Sequence, residues 1–349
     1  MNKNPNWTPQ EIQQACSLKC QGKTWAEIAR QLGRSETACR VRVKRAGAVV
    51  ASPVQSVAET QIPVTHPPVE LPRPEFGHLP LEVVNSGGWT QPFGLVADTH
   101  LCCKEERLAE LHNQYDLFKA EGITTVFHAG NPIDGYIPRI NGESVFETTI
   151  DGQANYFAEN YPSRDGIKTY FITGDDHESW FSPGFNIGSY MELIARKAGR
   201  TDLEYIGHVE ADVEAWVKGA AAPTIIKIQH PGGGSAYARS YTGQKTVESF
   251  EGGEKPAILI QGHYHVSNYM NDRNIHVVSM PGFQDQTIFG RKKRLRFEVG
   301  GGIMQYKVNM DDGTVTRFRL EFNRYFTRGY YKRYIKSDAR LLKGHLVLK

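Results

Sequence analysis

Five short fragments share one order along the chain: Asp98-Thr99-His100, Gly130-Asn131-Pro132-Ile133-Asp134, Asp175-Asp176-His177-Glu178, Gln229-His230-Pro231 and Gly262-His263-Tyr264-His265. Each sets carboxylate, amide or imidazole groups at or just past the end of an apolar run. In an extended chain alternate residues share a face, so Asp98 and His100 point one way, as do His263 and His265. Glycines at 130, 174 and 262 let the backbone turn tightly beside a cation. Mixed oxygen and nitrogen donors suit Mn, Fe, Zn or Ni better than Ca. The chemistry expected of such a set is hydrolysis at a two-metal site, phosphoester hydrolysis foremost.

For these fragments to meet, strands and helices must alternate, and the chain from Trp89 onward reads that way. Strands are expected over 93–97, 123–127, 169–173, 224–229 and 257–261, with helices over 105–120, 152–160, 190–198 and 244–250. A β-rich run follows at 266–270, 275–278, 302–309 and 315–322, with Asp311-Asp312-Gly313 as a hairpin turn. The fold class is therefore a mixed α/β sandwich.

The first 47 residues read as three short helices. Thr8-Pro9-Gln10-Glu11 and Thr24-Trp25-Ala26-Glu27 are capping boxes, and Gly33 suits a helix C-terminus. Ser35 caps a third helix with Ala38, Cys39 and Val41 inward and Arg40, Arg42, Lys44 and Arg45 crowding its second half. This segment holds nine Lys/Arg against three Asp/Glu, whereas the whole chain is only +3, so the remainder is slightly acidic. A basic module on an acidic body faces a polyanion. Residues 48–88 carry Pro53, Pro63, Pro67, Pro68, Pro72, Pro74 and Pro80 without periodicity, the pattern of an extended linker. Residues 324–349 form a basic, aromatic tail. Together with Arg291-Lys292-Lys293-Arg294-Leu295-Arg296, the tail fits either a phosphate-tracking surface or a solvated loop and a packed tail.

The five fragments resemble the blocks of the calcineurin-like metallophosphoesterases, over roughly residues 89–323. The resemblance implies a four-layer α/β/β/α sandwich and two divalent metal ions, Mn first, with Fe, Zn or Ni as alternatives. Asp98, His100 and His265 would hold one ion. His230 and His263 would hold the other, with Asp176 in the family's asparagine position, although Asp175 is an alternative ligand. Asn131 falls where the family has a bridging aspartate. His177 matches the family's non-ligand histidine, Glu178 the acid that orients it, and Asp134 an acid expected to support a ligand. Two positions are thus exchanged: the amide sits at 131 and the carboxylate at 176. The carboxylate count is kept while one negative charge moves from between the ions to one side. Residues 6–46 resemble a helix-turn-helix of the Myb/SANT-like or homeodomain-like kind, carried by Trp7, Trp25 and the segment 28–35. That resemblance implies that Arg40, Arg42, Lys44 and Arg45 contact DNA from the third helix.

The function expected from the two together is a metal-dependent phosphodiesterase, a DNA nuclease delivered by its helix-turn-helix. Two alternatives are a phosphomonoesterase targeted to DNA and a non-catalytic DNA-binding regulator with a degenerate site. DNA is the expected partner, a homo-oligomer is compatible, and the lack of a Walker motif leaves any ATPase partner to another chain. No apolar run spans a membrane, and no signal peptide is visible. Cys16, Cys20, Cys39, Cys102 and Cys103 form no disulfide framework, so a reducing, cytoplasmic compartment is expected. Cys102 and Cys103 read as small buried residues in a turn.

Overall fold

The computed structural model describes residues 7–46, 77–174, 185–234, 236–253 and 255–326. The chain divides into two compact units, Met1–Glu70 and Leu71–Lys349.

The first unit holds α1 (Pro9–Cys20), α2 (Trp25–Leu32) and α3 (Glu36–Ala46). Both capping boxes form. The Thr8 and Thr24 hydroxyls accept from the Glu11 and Glu27 N–H groups, and each glutamate accepts from its threonine N–H at 2.8 and 2.7 Å. These bonds satisfy donors that a helix start leaves without intrahelical partners. Gly33 closes α2 at φ +61°, a conformation that would strain a residue with a Cβ. Ala15, Leu18, Ile28, Ala29 and Cys39 form a small core, with Trp7, Trp25, Leu32 and Val43 against it. Val41, expected inward, is exposed. The inward pair of α3 is Cys39 and Val43, spaced by one helical turn.

The second unit runs β1 (Gly77–Val83), β2 (Asn85–Ser86), β3 (Trp89–Thr90), β4 (Phe93–Val96), α4 (Leu108–Ala120), β5 (Thr125–Ala129), α5 (Ile150–Asn160), β6 (Lys168–Thr173) and α6 (Ile187–Lys197). It continues with β7 (Leu203–His208), β8 (Glu210–Val217), β9 (Thr224–Gln229), α7 (Tyr241–Ser249), β10 (Ile258–Gln261), β11 (Asn268–Asp272), β12 (Ile275–Ser279), α8 (Ile288–Lys293), β13 (Gly300–Val308) and β14 (Val315–Arg324). One sheet has the order β14-β13-β4-β5-β6-β7 and the other β1-β8-β9-β10-β12-β11. Strands β4 to β7 are parallel, as are β9, β10 and β12.

Side-chain alternation assigns the layers. Leu95, Phe127 and Ile172 of one sheet meet Val213, Ile228, Ile260 and Val278 of the other in a buried interior. Their neighbours Val96, Val126 and Phe171 point outward onto Leu111, Phe118, Phe157 and Met191 of the helices α4, α5 and α6. Leu259 and Val277 point outward onto Val247 of α7. The result is the expected α/β/β/α sandwich, in which every central strand is covered on both faces. No helix among the described residues is long and apolar enough to cross a membrane.

The linker expected over 48–88 ends earlier than its proline pattern suggests. Gly77–Val83 is a strand, paired in parallel with β8, that buries Leu79 and Val83. Pro80 is tolerated because β1 lies at a sheet edge, where one row of N–H groups has no ladder partner. Residues 48–76 and the tail beyond Phe326 lie outside the described residues.

Candidate metal centre

The site residues stand just past the C-terminal ends of parallel strands from both sheets. Asp98 and His100 follow β4, Asn131 follows β5, Gly174 follows β6, His230 follows β9, and His263 and His265 follow β10. Carboxyl ends of parallel strands are the usual place for a ligand in an α/β sheet. Backbone bonds lace these turns together: Asp98 N–H to Gly130 O at 2.9 Å, His100 N–H to Asn131 O at 3.0 Å, and Phe283 N–H to Asp98 O at 2.8 Å.

Five site residues adopt a left-handed backbone: Asp98 (φ 50°), His100 (44°), Asn131 (51°), His263 (78°) and His265 (51°). Such residues cost on the order of 1–3 kcal/mol each and persist only where the surroundings over-determine them. Glycines make the crowding possible. A Cβ on Gly174 would fall 2.0 Å from Asn131 Oδ1, and one on Gly130 would fall 2.3 Å from His230 Nδ1. A Cβ on Gly262 would lie 3.0 Å from both Asp98 Oδ2 and His230 Nδ1.

Asp98, His100 and His265 each offer one ligand atom, and these three atoms lie within 4.8 Å of one another. His100 Nε2 is 3.2 Å from His265 Nε2, and Asp98 Oδ1 is 3.8 and 3.5 Å from them. Metal bonds of roughly 2.1 Å place neighbouring ligand atoms about 3–3.5 Å apart, so the trio fits one divalent ion. His100 Nδ1 is 2.7 Å from Asp134 Oδ1, which holds the ring with Nε2 facing the other ligands. Asp134 is held in turn by Asn141 Nδ2 at 2.9 Å and Gln284 Nε2 at 3.3 Å. The expected support by Asp134 is seen directly, whereas Asn141 and Gln284 had no signal in the local sequence.

A second set adjoins the first. His230 Nδ1 donates to Ala129 O at 2.9 Å, leaving Nε2 buried with no hydrogen-bond partner among the described residues. Asn131 Oδ1 is likewise buried and unpartnered there. A Cβ on Gly174 would touch both side chains, with His230 Cδ2 at 2.7 Å, so the two flank one point. The His263 ring stands 5.2 Å from that of His230, and its backbone N–H donates to the Asp98 carboxylate at 2.9 Å. Buried polar atoms without partners are uncommon, and here the donor types suit a divalent cation. Asp175, Asp176, His177 and Glu178 lie outside the described residues.

Burial opposes ionisation of Asp98, yet His265, His100 and His230 around it hold the carboxyl well below the ordinary carboxylate range. Burial pushes His230 down to about 4 and His265 down to about 3, so both are neutral near pH 7 with lone pairs available. His100 moves the other way. Burial opposes its charge, but bonds to Asp134 and Asp98 carry it up to about 9. His100 thus lies against two buried carboxyl groups, Asp98 and Asp134.

The centre opens into a cavity of about 760 Å³, with His100, Asn131, His263 and His265 in its lining. Arg239, Lys293, Arg294 and Arg296 also line it. Arg40 is exposed and Arg42 half-buried on α3, while the Lys44 and Arg45 side chains lie outside the described set. Cys102 and Cys103 are buried and free, as the turn reading expects.

No family model and no curated protein sequence matches the chain. Solved structures do. An archaeal phosphodiesterase is 14% identical over 66% of this chain and 99% of that one, with a TM-score of 0.36. The phosphoesterase Yfce from E. coli is 12% identical over 65% and 98%, with a TM-score of 0.34. Vps29 from Entamoeba histolytica, complexed with zinc, is 11% identical over 67% and 98%, with a TM-score of 0.31.

Proposed function

We propose that the chain is a metal-dependent phosphodiesterase that cuts DNA, delivered by its three-helix unit. The observation that carries the phosphoesterase reading is the Asp98, His100 and His265 trio, with His100 oriented by Asp134 and with His100 and His265 lining an open cavity. In this reading Asp98, His100 and His265 hold one divalent ion. His230, His263 and Asn131 serve a second, with Asp176 as a further ligand. Manganese is the first choice, and Fe, Zn or Ni are compatible with the same donors. Bound ions would supply a nucleophilic water at neutral pH and draw charge from the phosphoryl oxygens.

The chain's own groups have separate tasks. Asp134 keeps His100 in one tautomer, and Ala129 O does the same for His230. His177, steadied by Glu178, would donate to the phosphoryl oxygens or protonate the leaving alkoxide. DNA as the substrate rests on the basic α3, where Arg40 and Arg42 would contact the duplex with Lys44 and Arg45. A tethered module raises the effective concentration of its target to roughly the millimolar range.

The test is turnover by the purified, Mn-supplemented chain on linear, nicked and single-stranded DNA, beside a chromogenic monoester and a chromogenic diester, with His177→Ala as control. Cleavage of DNA and diester supports the reading. Cleavage of the monoester with DNA left intact would assign a phosphomonoesterase targeted to DNA. The neutral Asn131, standing where the resemblance expects a bridging aspartate, favours one further alternative, a DNA-binding regulator with a degenerate site. Loss of all turnover in every divalent metal would select it.

A further inference from the structure

The wall of the cavity carries an arrangement that the metal centre does not need. Helix α8 and the residues after it run along the mouth and bring Lys293, Arg294 and Arg296 to the lining, with Arg239 from the segment before α7. Among the described residues Asp134 is the one acid of the lining, and it is buried against His100. Arg239 and Arg296 share a single carboxylate, Glu298, at 3.4 and 3.5 Å. Lys293 and Arg294 are exposed and form no ion pair among the described residues. The edge is therefore strongly cationic, and its charge faces the cavity.

Arg294 is also strained. It ends α8 at φ 57°, the left-handed position that glycine occupies without strain. An L-residue there costs roughly 1–2 kcal/mol, and no contact of the guanidinium among the described residues offsets it. The helix itself is firmly seated. A Cβ on Gly290 would fall 2.6 Å from the Phe297 ring, and Phe297 packs 4.5 Å from the ring of His265. The cationic edge thus stands in a set position relative to the candidate metal ligands. Two aromatic side chains complete the mouth: Phe289, partly exposed, and Tyr237, fully exposed.

A single phosphate at the metal centre would leave this edge without a ligand. We infer that Lys293 and Arg294, supported by Arg239 and Arg296, bind the phosphates that flank the scissile one, and that Tyr237 and Phe289 stack the adjoining bases. The substrate class is then single-stranded DNA with at least one phosphate beyond the bond cut, recognised through its backbone and not its sequence. Unpaired bases are required because only they expose faces to the two rings. This inference rests on the phosphodiesterase reading and deepens it.

The experiment compares the full chain with Arg294→Gly and with the double variant Lys293→Ala/Arg294→Gly. Each is assayed with Mn on bis(p-nitrophenyl) phosphate, on a single-stranded oligonucleotide and on the same oligonucleotide as a duplex. Binding of the single strand is followed by anisotropy across salt without metal. Turnover of the small diester should stay within about twofold of wild type, while kcat/KM on the single strand falls by about tenfold in the double variant. The slope of log affinity against log salt should flatten by about 0.7 for each cation removed. Arg294→Gly should melt no lower than wild type, since glycine relieves the backbone. Equal losses on the small diester and the strand, an unchanged salt slope, or a stronger effect on the duplex would overturn the inference. Absence of any diester turnover by wild type would instead refute the phosphodiesterase reading, and the salt slopes would still decide the role of the edge.

Discussion

Asp134 Oδ1 lies 2.7 Å from His100 Nδ1 at the base of the cavity, and both residues are buried. The pair links a residue from the turn after β5 to one from the turn after β4. It decides which nitrogen of His100 can bind an ion, because the protonated nitrogen faces the carboxylate.

Asp134→Asn should therefore weaken metal binding by about 10–100-fold while leaving the fold intact. The amide keeps one oxygen, enough for either Asn141 or Gln284, which donate to different oxygens of Asp134, and it no longer enforces the tautomer. Calorimetric titration with Mn, beside a thermal melt, reads both effects. Unchanged metal affinity would show that His100 is not held for an ion.

If Asn131 and Asp176 hold exchanged positions, as the resemblance implies, charge balance makes a prediction. Asn131→Asp adds a carboxylate beside Asp98, and Asp176→Asn removes one. The double variant keeps the count and should be far more active than either single change. Metal-supplemented diester turnover of the three variants is the measurement. A harmless single change would refute the charge-balance argument.

Gly174 separates two side chains that must stay close. A Cβ there would lie 2.0 Å from Asn131 Oδ1 and 2.7 Å from His230 Cδ2. Gly174→Ala should lower stability by about 1–3 kcal/mol and abolish binding of a second ion. Gly253→Ala, where an added Cβ meets nothing within 4 Å and the backbone is not left-handed, is the control. Metal stoichiometry by mass spectrometry distinguishes the two, and two ions retained in Gly174→Ala would sink the idea.

Stability should depend on pH through His112, which packs against Asn160 and Arg164. Burial, and then the nearby Arg164, push its pKa from 6.5 down to about 4. Its Nε2 donates to Asn160 O at 3.2 Å, and its Nδ1 faces Arg164, so the folded state requires the neutral ring. The folded protein binds fewer protons than the unfolded chain here. The stabilisation is complete above pH 6.5 and disappears as pH falls toward 4, amounting to roughly 3 kcal/mol. Thermal melts between pH 7.5 and 4.5 should show a shallower decline for His112→Gln than for wild type. Parallel curves would contradict this assignment.

The helical unit has its own test. Arg40→Ala/Arg42→Ala should weaken duplex binding and flatten the log–log salt slope by about 1.8, two contacts at roughly 0.9 each. Turnover of a small chromogenic diester should not change. An unaltered slope would assign those arginines to something other than DNA.

What could be read without a fold was local. The two capping boxes, the break at Gly33 and the strand ends carrying Asp98, His100, His230, His263 and His265 are short-range patterns. Each is set by bonds or side-chain directions within about four residues. Strands β7 and β8 were not legible. Glu210–Val217 alternates correctly, but its alanines and acids are poor strand formers, and only pairing between β1 and β9 holds it extended. Strand β1 was hidden for a similar reason, since Pro80 reads as linker until an edge position is known.

The sequence by itself determined which donor residues are present and their order along the chain, because these depend on residue identity alone. Only the tertiary structure decided which donors meet. The 3.2 Å approach of His100 to His265 spans 165 residues, and the bond from Gln284 to Asp134 spans 150. The packing of Phe297 on His265 places the cationic edge beside the candidate metal ligands. Such distances arise from two sheets closing on a shared apolar interior, and no local rule of spacing contains them.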